Sequence, residues 1–477
     1  MRRGPVAAIV AASLLVPIVA VAASRGDGDR APAAAPSFQR DVAPILREKC
    51  TGCHQMGGIA PFPLETAKQA QKWADAIAGA VKARIMPPWP PGLASPGYAG
   101  QQRRELTAQQ RETILGWAKA GGKASGAGAG KAPVSKAEVR SGERVLNLTM
   151  PSSYKPRAKG GATDDYRCFL LDPKLTKGAY ATSGSVVPGA RSIVHHVILF
   201  HIGADLRAEA KRVDAAAKGA GWSCFGGIGV GSDADLDNAP WITAWAPGTE
   251  GRRFPDGTGV ELPKGSLVVM QVHYNLLNGH ATDRSRVVLT LAPSGSGLES
   301  LDTVLLPAPV ELACIKAERG RLCNRQAALA ELGRKYGVAA TFAPSLLLAF
   351  CGQDPVNPKP SMTSRCDRTV TRSTTIYAVG GHMHLLGRSI RVELNPGRSN
   401  ARVLLDIPRW DFHWQGGYTL QEPIEAKPGD VLRVTCRYDP ALRHHGAHGI
   451  PKTPRYVLWG EGSTDEMCLA VIQATRS

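Results

Sequence analysis

The chain has 477 residues, 43% hydrophobic and 21% charged, an ordinary balance for a globular protein of about three domains. Lys and Arg outnumber Asp and Glu by 58 to 40, and the formal net charge is +18 at pH 7. A charge of this size steers anionic partners. No basic helix interleaved with aromatics accompanies it, so nucleic acid is not an expected partner.

Arg2 and Arg3, the apolar run from Val6 to Val21 and the pattern Ala20-Val21-Ala22 read as a secretory signal over residues 1–22. A periplasmic or secreted protein with no stable membrane span after cleavage is expected. Residues 23–36, rich in Ala, Pro, Asp and Arg, read as a tether. Phe38, Val42, Ile45 and Leu46 then fall at helical spacing and lead into Cys50-Thr51-Gly52-Cys53-His54. C-x-x-C-H is the attachment signature of covalent haem c, with His54 as the proximal iron ligand. A thioredoxin-like pair or half a zinc site is disfavoured by the adjacent histidine, the export signal and the lack of a second C-x-x-C nearby.

The sixth ligand follows by elimination. No histidine lies between His54 and His195, Met56 is too near His54 to reach the opposite haem face, and Met150 lies beyond a linker. Met86 is left, at the end of a predicted helix whose stripe is Trp73, Ile77, Val81 and Ile85, stopped by Pro87-Pro88. His/Met ligation raises the haem potential, as suits an electron carrier. Thr107 and Gln110 form a capping box for a last helix carrying Ile114, Leu115 and Trp117. Residues 37–121 together resemble a small class I cytochrome c. Residues 122–137, mostly Gly and Ala, read as a flexible linker. Such a linker would let the haem domain visit a neighbouring face repeatedly.

From Glu143 the texture is strand-like, punctuated by Gly, Pro and Asp. Histidines fall in strand-like segments: His195 and His196 in Ser192–Phe200, His273 in Leu267–Tyr274, and His382 and His384 after Ile376–Val379. Side chains at i and i+2 share a strand face, so His382 and His384 offer two imidazoles together. Adjacent His195 and His196 would face opposite ways, and can share a metal only if the strand bulges or they use different ring nitrogens. Gln271 faces with His273 and is expected to support it. A fourth segment, Tyr456–Cys468, offers the thioether of Met467. Imidazole suits copper, and thioether selects Cu(I). Residues 304–372 interrupt the strand pattern, with a helical stretch from Arg325 to Gly337 and four cysteines, Cys314, Cys323, Cys351 and Cys366. They read as a disulfide-stapled insertion, a candidate lid. His444, His445 and His448 form a further cluster, of a kind more often solvated than metal-binding.

The order His195-His196-Val197, Gln271-Val-His273-Tyr274, His382-Met-His384-x-x-Gly387 and Asp465-Glu-Met467-Cys468 resembles the copper type II, ascorbate-dependent monooxygenases, the family of the peptidylglycine and dopamine hydroxylating enzymes. The resemblance covers about residues 140–477. It implies a mainly β protein in which the all-α cytochrome c domain precedes two jelly-roll-like β-sandwich copper domains, residues 138–300 and 301–477. It implies two copper ions: an electron-transfer copper at His195, His196 and His273, and a dioxygen-binding catalytic copper at His382, His384 and Met467. It pairs Cys168 with Cys224 and Cys436 with Cys468; the other four cysteines allow three pairings. The reaction implied is hydroxylation of an aliphatic or benzylic C–H bond with dioxygen. Ascorbate or a redox protein would supply electrons, here through the fused haem and visits to the His195/His196/His273 face.

One departure bears on substrate. Where the peptidylglycine enzymes carry an arginine before His-x-His, and an asparagine and a tyrosine after Met-Cys, this chain has Gly380, Leu469 and Val471. A small, fairly apolar molecule is expected rather than a glycine-extended peptide. The rival class is a non-catalytic haem–copper electron carrier or copper-binding protein.

Overall fold

Helices occupy the first part of the chain and strands most of the remainder, following the change from helical to alternating periodicity near residue 143. The computed structural model describes residues 35–476, apart from 59, 133–137, 159–162, 225–226, 232–235, 248–250, 445–449 and 451, with backbone only at 102, 103, 252 and 278. The predicted signal, most of the tether, and His445 and His448 lie outside the described residues.

The helical region comprises a turn at Phe38–Val42 and helices Ala43–Lys49, Ala67–Lys72, Ala74–Lys82, Gln101–Arg104 and Ala108–Lys119. Phe38, Leu46, Leu64, Ile77, Val81, Ile114 and Trp117 share one core. Pro44 sits in the first turn, where it removes no helical hydrogen bond. Thr107 and Gln110 make the expected capping box, and Thr66 with Gln69 makes a second. The helix before Met86 ends sooner than its apolar stripe suggests. It stops at Lys82, Arg84 turns to φ 56°, and Ile85 is 53% exposed. Trp73 interrupts the helix instead of lying in the stripe, and stacks on Phe62 with ring centroids 4.2 Å apart.

Two findings revise how this region is held. The described part of the Gly/Ala stretch is packed, not free. Gly130 donates its N–H to Glu65 O at 2.8 Å, Ala124 donates to Gln71 Oε1 at 3.0 Å, and Ala129 is buried in the helical core. Residues this small lie flat on a helix surface, so low complexity does not by itself mean a loose chain. The second finding is a strap. Gly92 N donates to Asp406 O at 2.8 Å, Ala99 N to Thr419 O at 2.8 Å, and Gln421 N to Gly97 O at 3.0 Å. Tyr98, 1% exposed, donates its hydroxyl to Leu404 O at 2.7 Å. The helical region is thus fixed to the C-terminal strands, where repeated visits across a flexible linker were expected.

Among the described residues most strands fall into two sheet pairs, with a separate two-stranded sheet of Glu311–Leu312 and Val457–Leu458; the strand pairings are antiparallel except for the short parallel pairing of Glu299–Ser300 with Thr258–Gly259. In the first pair, a five-stranded sheet runs Trp222–Ser223, Asp164–Leu171, Leu267–Asn275, Val194–Ile202, Trp241–Trp245. It encloses Phe169, Val197, Leu199, Val268 and Val272 against Ala181, Val186, Val287 and Leu289 of a six-stranded sheet. In the second pair, Asp302–Pro307, Leu469–Arg476, Thr374–His382 and Gly417–Ala426 face Thr363–Thr369, Val431–Tyr438, Gly387–Leu394 and Arg402–Ile407. Ile376, Ile472, Leu420, Ile390, Val434 and Leu404 fill the space between them.

Residues 304–372 are only in part an insertion. Asp302–Pro307 and Thr363–Thr369 are strands of the second pair, and helices Arg325–Tyr336 and Ala343–Phe350 stand between them. Thr363–Thr369 is an edge strand whose exposed side carries Thr363, Arg365, Asp367 and Thr369, which hides its alternation among polar residues. Four disulfides form: Cys168–Cys224, Cys436–Cys468, Cys314–Cys323 and Cys351–Cys366. The last two are one of the three pairings left open above. No described helix is long and apolar enough to cross a membrane.

Replacing Tyr98 by Ala removes a buried ring and its hydrogen bond. It is expected to cost about 3–5 kcal/mol, by analogy with other large-to-small core changes. Equilibrium denaturation measures it, and stability equal to the parent would show that the strap does not hold the two regions together.

Candidate metal centre

His195, His196 and His273 come together on neighbouring strands of the five-stranded sheet. The ladder pairs Val194 with Tyr274 and then His196 with His273, so the register slips by one residue at His195. This is the bulge that two adjacent histidines require to face one point. One nitrogen from each ring lies within 4.8 Å of the others. His196 Nδ1 is 3.3 Å from both His195 Nδ1 and His273 Nδ1.

The orientation of His273 has a specific cause. Its Nε2–H donates to Asp164 Oδ1 at 2.8 Å, which leaves the Nδ1 lone pair facing the other two rings. Tyr166, directly opposite His273 in the ladder, stacks on it at 4.2 Å with the rings 6° apart. Burial pushes Asp164 up, but the hydrogen bond and charge of His273, with Ser463 and Asn275, bring it down to about 2. It is therefore a carboxylate at neutral pH. Burial, and then the neighbouring imidazoles, hold His195 and His196 well below the usual histidine range, so both are neutral and free to bind a cation.

His382 and His384 form the second group. His382 ends the strand Thr374–His382 and His384 lies just beyond it. Their Nε2 atoms are 3.1 Å apart. His382 Nδ1 meets Gln415 Oε1 at 2.6 Å, and His384 Nδ1 meets Asp465 O at 3.3 Å. Oxygen acceptors on both Nδ1 atoms turn both Nε2 lone pairs toward each other. Burial lowers His382 to about 4 and His384 well below its usual range. The ladder ends with His382 paired to Leu469, and His384 and Met467 lie just beyond it, their backbone N–H groups both bonded to the Glu466 carboxyl.

Glu466 fixes this arrangement. Its carboxyl accepts the backbone N–H of His384 at 3.0 Å, of Leu386 at 2.6 Å and of Met467 at 3.2 Å. It clamps the turn after His382 to the segment carrying Met467. Burial raises Glu466 to about 8, against those three donors. Tyr438 donates its hydroxyl to Met467 O at 3.2 Å, and Cys468 is tied to Cys436.

The two groups adjoin. The His196 and His382 ring centroids are 6.3 Å apart, and Phe412 stacks on His195 at 4.7 Å. Across the same boundary Ser463 Oγ donates to Asp164 Oδ1 at 3.0 Å and Tyr166 Oη to Glu461 O at 3.3 Å.

Other predicted residues fall as follows. Gln271 does not support His273; it donates to Cys224 O at 3.2 Å, and Asp164 takes the role expected of it. His444 is bonded to Glu318, which also holds buried Arg443, so the visible part of that cluster belongs to an ion-pair network. Cys50 and Cys53 are unpaired, and burial raises the Cys50 thiol to about 12. His54 is buried and its Nδ1–H donates to Phe62 O at 2.8 Å, which leaves the lone pair on Nε2. Met86 follows the turn at Arg84, its N–H directed to Ala80 O. Sequence reasoning missed Asp164, Phe412, Gln415 and Glu466. Asp164 had a usable signal, since it leads the strand that carries Tyr166 and Cys168.

One comparison with known proteins covers the segment that holds the second group. Residues 353–473 match the copper type II ascorbate-dependent monooxygenase, C-terminal domain. That span holds His382, His384 and Met467, and it marks the chain as a copper-dependent oxidoreductase that uses dioxygen. No curated protein matches the chain. Among solved structures, the major capsid protein P2 of bacteriophage PM2 is 7% identical over 70% of this chain and 97% of its own, with a TM-score of 0.23. A fucolectin from striped bass (Morone saxatilis) serum is 8% identical over 66% and 84%, with a TM-score of 0.14. Allantoicase is 9% identical over 62% and 86%, also at 0.14. Likeness this slight carries no argument.

Asp164→Ala should weaken metal binding at His195/His196/His273 by about 10–100-fold, as loss of a histidine's orienting partner typically does. Chelator competition measures this, with the His382/His384 group as internal reference. Equal affinity in the variant would show that Asp164 does not orient His273.

Proposed function

We propose that the chain is an exported copper monooxygenase with two copper ions and one covalent haem c. It hydroxylates an aliphatic or benzylic C–H bond of a small, fairly apolar molecule, with electrons delivered through the haem. The observation that carries this reading is the inward turn of both imidazole groups. An oxygen acceptor orients His273 in the first group and each ring of the second, and the second lies within the segment that matches the monooxygenase domain. Copper bound at these groups supplies dioxygen binding and one-electron chemistry.

The protein's own part is orientation. Asp164 holds His273, Gln415 holds His382, and Glu466 locks the His384 turn to Met467. Met467 adds a soft thioether, which favours the reduced ion. Ascorbate, or a redox protein, serves as the external reductant. The substrate reading rests on Gly380. Gly380 offers no cationic side chain to anchor a carboxylate, and a Cβ there would already stand 3.3 Å from Gly416 O. Leu469 and Val471 add apolar surface nearby.

The haem reading rests on two unpaired cysteines beside a histidine whose Nδ1 is already engaged. Covalent haem there would supply one-electron storage, with Cys50 and Cys53 to attach it and His54 and Met86 as the residues that would hold its iron. Export is supported by the signal pattern of residues 1–22 and by four disulfides, which persist in oxidising compartments.

Oxygen uptake with ascorbate, over a panel of small aromatic and aliphatic compounds, tests the activity. Substrate-dependent uptake is expected, and it should be lost in Met467→Ala while copper at the three-histidine group is retained. Uptake that never depends on added compound would favour a non-catalytic copper carrier. A haemochrome spectrum that survives acid–acetone extraction is expected; haem that extracts freely would remove the haem from the account.

A further inference from the structure

The strap raises a question that its structural role does not answer, namely why it ends in aromatic rings beside the second histidine group. Trp89 lies three residues after Met86 and meets the Tyr418 ring edge-on at 5.5 Å, with an interplanar angle of 87°. Tyr98 sits against the same ring at 5.2 Å. Tyr418 is buried in the strand that pairs with Thr374–His382, opposite Val379. Its phenol lies over Gly416, where a Cβ would stand 3.6 Å from Tyr418 Oη. The next residue back is Gln415, whose Oε1 is 2.6 Å from His382 Nδ1. Packed and bonded atoms therefore run from the strap to a histidine of the second group.

The other end of this run approaches the C-x-x-C-H segment. Arg104 closes the short helix Gln101–Arg104, which packs against Ala43–Lys49, the helix that leads into Cys50. That short helix follows directly on the strap, with Gln101 donating its N–H to Tyr98 O at 3.2 Å. The hydrogen bonds of the strap run to Asp406, Leu404, Thr419 and Gln421, all in the second sheet pair.

We infer that Trp89, Tyr418 and Gln415 form a fixed electron path from the haem to the His382/His384 centre, which the haem reduces directly and not by way of His195/His196/His273. The inference rests on the haem reading of Cys50, Cys53 and His54 given above. One electron leaves ferrous haem, which becomes ferric, and reduces Cu(II) at His382/His384 to Cu(I); no atom or proton is transferred. Electron tunnelling falls steeply with distance and less steeply through packed and bonded atoms than across a gap. A strap that holds an indole against Tyr418 shortens the gap permanently, where a mobile tether would do so only at each encounter.

The test uses full-length protein loaded with haem and Cu(II), without oxygen or ascorbate. The haem is reduced with less than one equivalent of dithionite, and its reoxidation is followed with the Cu(II) resonance. A phase independent of protein concentration is expected. It should persist in His273→Ala and disappear in His382→Ala. Trp89→Leu should slow it severalfold at unchanged haem content, copper content and haem potential, and Trp89→Phe should restore most of the rate. Loss of the phase in His273→Ala with copper still at His382/His384 would overturn the inference. So would an unchanged rate in Trp89→Leu. The histidine comparison stands even if the Trp89 variants fold poorly. Absence of covalent haem in the parent protein is read first and overturns the haem reading itself.

Discussion

Each imidazole group in this protein depends on an oxygen acceptor placed behind at least one of its rings. A neutral histidine carries one N–H and one lone pair, so the nitrogen that donates decides which nitrogen is left to bind a metal. Asp164 behind His273, Gln415 behind His382 and the Asp465 carbonyl behind His384 settle that choice for three rings. Without these acceptors the rings could turn in their cavities or present N–H groups to one another.

Asp164 has a second role that the outward acceptors of the other group lack. Its Oδ1 takes hydrogen bonds from His273 and Asn275 on its own sheet and from Ser463 on the other sheet pair. Ser463 lies in the loop that runs into Asp465, Glu466 and Met467. The same buried carboxylate therefore orients one histidine group and fixes the approach of the segment carrying the other. Tyr166, stacked on His273 and bonded to Glu461 O, repeats the link. The two groups meet with His196 and His382 only 6.3 Å apart between ring centroids, a contact that needs both halves in register.

Much of this was legible in the sequence because periodicity and spacing carry it. His382 and His384 at i and i+2 had to share a face, and adjacent His195 and His196 required a bulge, which the register slip at His195 supplies. The capping box at Thr107 is a local pattern and was readable as such. What was not legible depends on contacts far apart in the chain. Asp164 and His273 are 109 residues apart, and Tyr98 reaches Leu404 across 306. Strand alternation puts Gln271 on one face with His273, but its amide donates to Cys224 O at 3.2 Å. The Gly/Ala stretch looked like a flexible linker because composition reports low side-chain volume and not whether a surface is available to cover. The strap Gly92–Ala99 had no periodic signal, since it is held by backbone hydrogen bonds and by the isolated side chains Ser95 and Tyr98.

The proposed function requires two unlike copper sites, imidazole alone at one and imidazole with thioether at the other. X-ray absorption at the copper edge on fully reduced protein addresses it most directly. The account predicts a mixed first shell with nitrogen at both coppers and sulfur at only one, the sulfur contribution vanishing in Met467→Ala. A nitrogen-only shell in the parent protein, or a sulfur contribution that survives in Met467→Ala, would contradict it.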